Sequence, residues 1–403
     1  MGVKLGCETK GYTRFSFLSE MLVRNGYEVD LITTDFQHWD KKHRDTNHPS
    51  YKNQPYNIKF IHEPGYSKNL DLKRIKSHAV AARKLREFLE QHGDKYNLIY
   101  AEIPPNDVAR CACEFANTHQ IPFIVDINDL WPEAMKMAVN IPILSDIAFA
   151  PFSRDARYVY NHITAAVGTS DEYTNRATLD STHEYEKLTV YVGNNLDEFY
   201  HGAKTDAAKV KKPQDEFWVI YAGTLGASYD IKTLITASKL CNSRLDSTKD
   251  SKKVVVKILG DGPDLNKLEC YSKDINAPVE FIGYTPYDEM AAYLCASDIT
   301  VNSLKKDAAQ SIVTKIGDYL ASGKPMINTG SSPEFCNKVI SDGFGLNVSA
   351  ENAEALSECI LSLYHSPETC AKMGSIAREI AKKQFDRNHS YTKIVDLINR
   401  LSN

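Results

Sequence analysis

The chain contains no run of about 20 apolar residues that could span a bilayer, and its opening residues do not read as a signal peptide. It is therefore expected to be soluble or peripheral. Its nine cysteines form no Cys-x-x-Cys pair. Cys111 and Cys113 stand two apart in a segment read as helix, and the others are dispersed, so neither a zinc site nor a disulfide framework is suggested. Reduced thiols in a cytoplasm fit best. The net charge is only -4 and the pI near 6.3, which supplies no general positive field for nucleic acid.

What is present is the composition of a globular protein, 42% hydrophobic and 25% charged, on a chain of 403 residues that exceeds one ordinary core. Two domains follow as the expectation. Short apolar runs alternate with helical patterns, the signature of parallel sheets built from βα units. In the first half, strands are expected at 29–33, 58–61, 98–101, 123–127, 165–168 and 188–192, with helices at 14–25, 72–91 and 107–119. In the second half, strands are expected at 218–222, 254–259, 279–282, 299–302, 325–327 and 346–348.

The polar stretch 201–212 reads as a linker between a Rossmann-like domain over 1–200 and a second over 213–384, and 385–403 reads as a helix returning to the first domain. One irregularity stands at the start. A Rossmann-like domain opens with a buried strand of five or six apolar residues, whereas Met1 to Gly6 offers only Val3 and Leu5. The first strand is thus expected to be short or missing, which would leave neighbouring strand edges exposed.

The segment from Lys315 to Pro325 (KIGDYLASGKP) carries the most chemistry. Lys315 and Asp318 are three apart and share a face if helical, while Ala308, Ala309, Gln310 and Ser311 supply the small polar residues of a helix start. Such a terminus attracts phosphate, Lys315 adds a full charge, and Asp318 can accept hydrogen bonds from a ribose diol. A surface ion pair on a helix is the plainer reading. Upstream, Trp218 to Ser228 reads as a buried strand entering a Gly-x-x-Gly turn at Gly223 and Gly226, which lets backbone approach a ligand or forms an ordinary tight turn.

Two further segments bear on partners. The stretch 138–152 is apolar but broken by Asn140, Pro142, Ser145, Asp146 and Pro151. Lys73, Arg74, Lys76, Arg83, Lys84 and Arg86 alternate with apolar residues on one expected helix, a pattern that suits either an anionic membrane surface or the solvated face of a core-packed helix.

With these pieces placed, the chain resembles the GT-B glycosyltransferases, and within them the retaining enzymes of family 4, in the form found in bacterial capsule and O-antigen members. The resemblance rests on YAGTLGASYD at 221–230, LGDGP at 259–263, FIGY at 281–284, KIGDYLASGKP at 315–325 and DLWPE at 129–133. It implies an α/β fold of two Rossmann-like domains with parallel sheets facing across a cleft and a C-terminal helix crossing back. Asp318 matches the ribose-holding member of the family's paired-glutamate motif, and Gln310, followed by Ser311, matches the member near the donor sugar, normally a glutamate. Gly223, Thr224 and Gly226 match the turn that cradles the pyrophosphate, and Tyr284 the position whose backbone reads the base. Gly260 allows close packing beside that pocket, with turn formation as the alternative.

Many members place an arginine and a lysine where this chain has Thr224 and Tyr229, so Lys315 is left to face the departing diphosphate. Asn128 stands where relatives carry histidine or arginine and cannot shuttle a proton. Asp129 and Glu133 are candidate acceptor-side carboxylates, with helix capping as the other reading of Asp129. Gly11, Thr13 and Arg14 fall where the family's N-terminal glycine loop meets the acceptor. No Asp-x-Asp cluster lies at the expected donor site, so no metal and no cofactor are expected there, only a nucleoside diphosphate sugar, UDP-linked in preference to GDP-linked.

The implied activity is retaining transfer of a hexose to a glycan or lipid-linked acceptor in surface polysaccharide or glycan assembly, by a cytoplasmic protein with a possible peripheral membrane contact through its N-terminal domain and no nucleic-acid partner. A catalytically silent subunit scaffolding a partner transferase, and a nucleotide-sugar epimerase or hydrolase, remain the alternatives.

Overall fold

The computed structural model describes residues 2–9, 13–68, 71–133, 142–245, 251–308 and 312–402. The chain divides into two compact units, Met1–Tyr191 with Ser390–Asn403, and Val192–His389. The stretch expected as a linker is folded. Helix Leu196–Thr205 and a 3-10 turn Ala207–Lys209 occupy most of 201–212, because Asn195 caps the backbone N–H groups of Asp197 and Glu198, and Leu196 and Phe199 are buried. Polarity of the exposed face was mistaken for absence of structure.

The second unit holds one six-stranded sheet. Its strands are β9 (Glu216–Ala222), β10 (Lys253–Leu259), β11 (Val279–Gly283), β12 (Ile299–Asn302), β13 (Met326–Asn328) and β14 (Gly345–Asn347), in the order β11-β10-β9-β12-β13-β14. Every pairing is parallel. This is the doubly wound order whose ligand crevice lies beyond the carboxyl ends of the central strands. β9 and β10 are buried on both faces, as in a sheet covered on both sides, with Lys257 of β10 paired to Glu216 and Glu280, and Val219, Tyr221, Val254 and Val256 join Leu234, Ile235 and Ile360 in a single core.

In the first unit the corresponding sheet is in two pieces. Strands β1 (Asp30–Thr34) and β4 (Asn57–Ile61) pair in parallel, and β5 (Ile99–Ile103), β6 (Phe123–Ile127), β7 (Ala165–Gly168) and β8 (Glu186–Thr189) form a separate parallel set. A short antiparallel hairpin, β2 (Phe36–Gln37) with β3 (Lys42–His43), follows β1. Residues 2–9 form no strand. Between the facing edges of β1 and β5 lies an apolar cavity of about 190 Å³, lined by Val3, Leu5, Leu31, Ile32, Ile99 and Ala101. The sheet is interrupted where the sequence lacks its opening strand.

Arg44 fastens the residual opening segment: its guanidinium donates to the carbonyls of Val3, Thr34 and Phe36 and to the carboxylate of Glu8. Helix Thr392–Ser402 packs on this unit through Ile394, Val395, Leu397 and Ile398, against Leu18, Ile124, Val167 and Val190.

Candidate functional site

In the second unit, β9 leads into a turn whose glycines are required by close approach. Gly223 has φ +150, and a Cβ there would come within 2.8 Å of Lys315 Nζ. Gly260, at φ +140, leaves room for the Gly223 carbonyl, which a Cβ would meet at 1.9 Å, and Gly262 does the same for the carbonyl of Leu225. Backbone bonds from Gly223 to Leu259 and from Leu225 to Asp261 stitch the two turns together. Close packing, rather than turn formation alone, therefore explains Gly260. Thr224 is exposed, and its carbonyl accepts from Tyr221 Oη at 2.7 Å. Tyr284 follows Gly283 and is 81% exposed.

Lys315 does not lie within a helix as expected. The helix is Ile316–Ala321, and Lys315 is its N-cap. Gln310 and Ser311, and with them the expected helix start, fall outside the described residues. The Lys315 ammonium is closed to solvent and has no hydrogen-bond partner among the described residues. It sits between two aromatic faces, 4.0 Å from the centroid of Tyr221 and 4.2 Å from that of Tyr229. Desolvation pushes its pKa well below the usual lysine range. The ring quadrupoles stabilise the charged form only in part. Tyr229 and Tyr221 thus enclose the Lys315 side-chain nitrogen.

Asp318 is one helical turn on. Tyr287 Oη and Asn194 Nδ2 both donate to its Oδ1, at 2.7 and 2.8 Å, while Oδ2 receives no hydrogen bond among the described residues. Burial raises its pKa against those two bonds. Lys315 and Asp318 are therefore no ion pair: each meets its own neighbours, and burial drives each toward its neutral form. Asn194 is placed by the 192–194 backbone, whose carbonyls at Val192 and Gly193 accept from the Arg387 guanidinium, and by Gly317, where a Cβ would meet the backbone of Gly193 at 3.3 Å. Tyr319 Oη accepts from the Ala222 N–H at 2.7 Å and donates to the Ala222 carbonyl at 3.1 Å, fixing this helix to the end of β9.

Sequence reasoning missed Asn194, Tyr287 and Tyr319. The Asn194-Asn195 doublet before an acidic helix start was the available signal for the first.

The first unit gathers a different set. Arg14, expected on the acceptor side, is instead in the interior with its side chain 0% exposed. Its guanidinium binds Asp126 through Nε and Nη2 at 2.8 and 3.2 Å, the Val190 carbonyl at 3.2 Å and Tyr391 Oη at 3.0 Å. It ties the first helix, Arg14–Arg24, to β6 and the C-terminal segment. Gly11 falls outside the described residues.

Asp129 accepts from the Leu130 N–H and from Trp131 Nε1, and burial raises its pKa. Glu133 is bound to the Arg176 guanidinium at 2.6 Å. Asn128 donates to the Asp126 carbonyl, and its Oδ1 is buried without a partner among the described residues.

Beside them lie Arg74, read from the sequence only as part of a basic helix, and groups the sequence did not single out. Arg74 lies over Trp131 at 4.6 Å and over Tyr66 at 5.5 Å. Burial lowers the pKa of His38 to about 4 and of His78 to about 3, with Arg74 adding to both, and burial raises Asp107 to about 6. Glu63 is buried and accepts from Ser77 Oγ. Arg74 belongs to the basic helix Leu72–His92, whose Ala81, Leu85 and Leu89 face the core. Most of that helix is therefore the solvated face of a packed element.

Comparison with known proteins fits this geometry. Residues 203–380 match the family model for glycosyl transferases group 1. Similar solved structures include sucrose-phosphate synthase from Thermosynechococcus elongatus (17% identity, TM-score 0.67, covering 96% of this chain and 92% of that one) and Anabaena HepE in complex with UDP (13% identity, TM-score 0.69, covering 99% and 98%). WaaG, a glycosyltransferase involved in lipopolysaccharide biosynthesis, matches at 11% identity and TM-score 0.65, covering 99% of this chain and 98% of that one. No curated protein matches. The chain has the GT-B fold, and its residues 203–380 match the group 1 glycosyl transferase model.

Proposed function

We propose that the chain is a retaining, family 4 enzyme that moves a hexose from a nucleoside diphosphate sugar, UDP-linked in preference to GDP-linked, to a glycan or lipid-linked acceptor in surface polysaccharide assembly. The observation that carries this is the unpartnered Lys315 ammonium beside Gly223, with the open Oδ2 of Asp318 one turn away. A diphosphate supplies the negative charge that Lys315 lacks, and a ribose diol donates to Asp318. The solved HepE structures with UDP and with UDP-glucose support a uridine donor.

As the sugar leaves, charge grows on the diphosphate oxygens, where a fixed ammonium in a dry site stabilises the transition state more than the ground state. Asp129 accepts from Leu130 N–H and Trp131 Nε1, and Glu133 Oε1 is held by Arg176. This supports front-face attack, in which the departing phosphate oxygen takes the acceptor proton. The reading places the protein in the cytoplasm. No helix among the described residues is long and apolar enough to cross a membrane, and peripheral lipid contact would fall on the first turns of helix Leu72–His92, where Leu72 and Ile75 are exposed beside Lys73 and Lys76.

A thermal-shift screen of nucleotide sugars tests the donor, since a ligand bound only by the folded state raises Tm. A UDP-sugar is expected to give the largest shift, and no shift from any nucleotide sugar would overturn the proposal. Turnover that needs no acceptor would identify an epimerase or hydrolase instead.

A further inference from the structure

Next to Glu63 in the first unit, three further side chains converge where β1 and β4 end. Asp35 follows β1, His43 is on β3, and His62 follows β4. His62 Nδ1 is 2.8 Å from Asp35 Oδ2, and His43 Nδ1 is 3.5 Å from Asp35 Oδ1. The candidate ligand atoms of the three residues all lie within 4.8 Å of one another. The two imidazoles stack with centroids 5.9 Å apart and planes at 14°.

The Asp35 carboxylate is fixed by the Glu63 N–H, which donates to Oδ1 at 2.9 Å. The hairpin is closed by the Arg44 N–H, which donates to the Asp35 carbonyl at 2.7 Å.

The tautomer of His43 follows from its other nitrogen. Nε2 lies 3.3 Å from the Pro64 carbonyl, which can only accept, so Nε2 carries the proton of that bond. A neutral His43 then turns the lone pair of Nδ1 toward a carboxylate oxygen, acceptor against acceptor. A second proton on His43 would relieve that one contact. A metal ion would serve all three ligand atoms together, and an imidazole oriented by a carbonyl on its far nitrogen is the usual arrangement of a metal-bound histidine.

We infer that Asp35, His43 and His62 bind a divalent transition ion of the zinc class. Two imidazole nitrogens with one carboxylate suit Zn²⁺, Co²⁺ or Ni²⁺, whereas Mg²⁺ and Ca²⁺ prefer all-oxygen sets. The imidazoles, 47% and 59% exposed, leave an entry path and room for water in the remaining coordination positions. The ion clips the β2–β3 hairpin to the β1–β4 pair, the part of the sheet that lacks a neighbour on one side.

The test is titration of the full-length reduced protein with Co²⁺ at about pH 8, where imidazole ligands are deprotonated, followed by Zn²⁺ calorimetry on the wild type, His43→Gln and His62→Gln. One ion per chain is expected, with ligand-field absorption and no thiolate charge-transfer band. Either substitution should weaken binding by at least the about 10-fold that loss of an outer-shell partner costs, without changing the metal-free Tm. Absence of binding to the wild type, or binding by both variants as tight as the wild type's, would overturn the inference, and a thiolate band in the latter case would place the ion on cysteine.

Discussion

The two units each bury a cation, Arg14 and Lys315, in different surroundings. In the first, the buried Arg14 is neutralised by Asp126 and donates further hydrogen bonds to the Val190 carbonyl and Tyr391 Oη. In the second, Lys315 has only two aromatic faces, and Asp318 keeps one oxygen open. Buried charges that are paired hold a fold together. Buried charges left unpaired weaken it and are in place for a charged ligand to complete. The sheets differ in the opposite sense: the second unit has a continuous six-stranded sheet beneath its unsatisfied site, while the first has a sheet divided around a cavity.

The largest expected effect comes from breaking the paired set. Arg14→Ala leaves Asp126 buried without its partner and is expected to destabilise the first unit by about 3–5 kcal/mol, read as loss of hydrogen-exchange protection in β6 and β7 with β9 and β10 unchanged. Equal loss in both units would dissolve the contrast. Lys315→Ala is expected to lower kcat by about 10²–10³-fold, the cost of removing one leaving-group stabiliser. Its Tm should hold or rise, because the residue removed is an unpartnered buried cation. A fall in both activity and Tm would make Lys315 structural.

Tyr287→Phe removes one of the two donors that orient Asp318 and is expected to weaken nucleotide binding by about 1.5–3 kcal/mol, as for a hydrogen bond to a charged group, with Tyr284→Ala as a smaller exposed-site comparison. Smallest is a difference in sheet dynamics. Amides of β1 and β5 that border the cavity should exchange faster than those of β9 and β10, and equal protection would show that the gap is rigidly filled.

Much of the fold could be read from the sequence because the apolar runs that become β9, β10 and β12 are buried on both faces and need no tertiary context to stand out. The weak opening strand was visible for the same reason, since two apolar residues cannot fill a central position. The helix Leu196–Thr205 was hidden because its polar face dominates its composition. At the site, Lys315 and Asp318 were legible from their spacing. Their partners were not: Tyr287 and Asn194 are 31 and 124 residues from Asp318 in sequence, and only folding brings them together. Arg14 illustrates the converse. An arginine after a loop looks like a surface residue until Asp126, 112 positions away, is seen to enclose it.

The central claim is that a diphosphate completes the charge of Lys315, and proton linkage tests it most directly. Burial lowers the Lys315 pKa well below the usual lysine range. A bound diphosphate raises it again, so binding takes up a proton between the two values and affinity falls as pH rises through that window. Calorimetric titration of UDP in two buffers of different ionisation heat should show this uptake in the wild type and none in Lys315→Ala. UDP bound with no proton uptake in the wild type, or with the same uptake in the variant, would contradict the account.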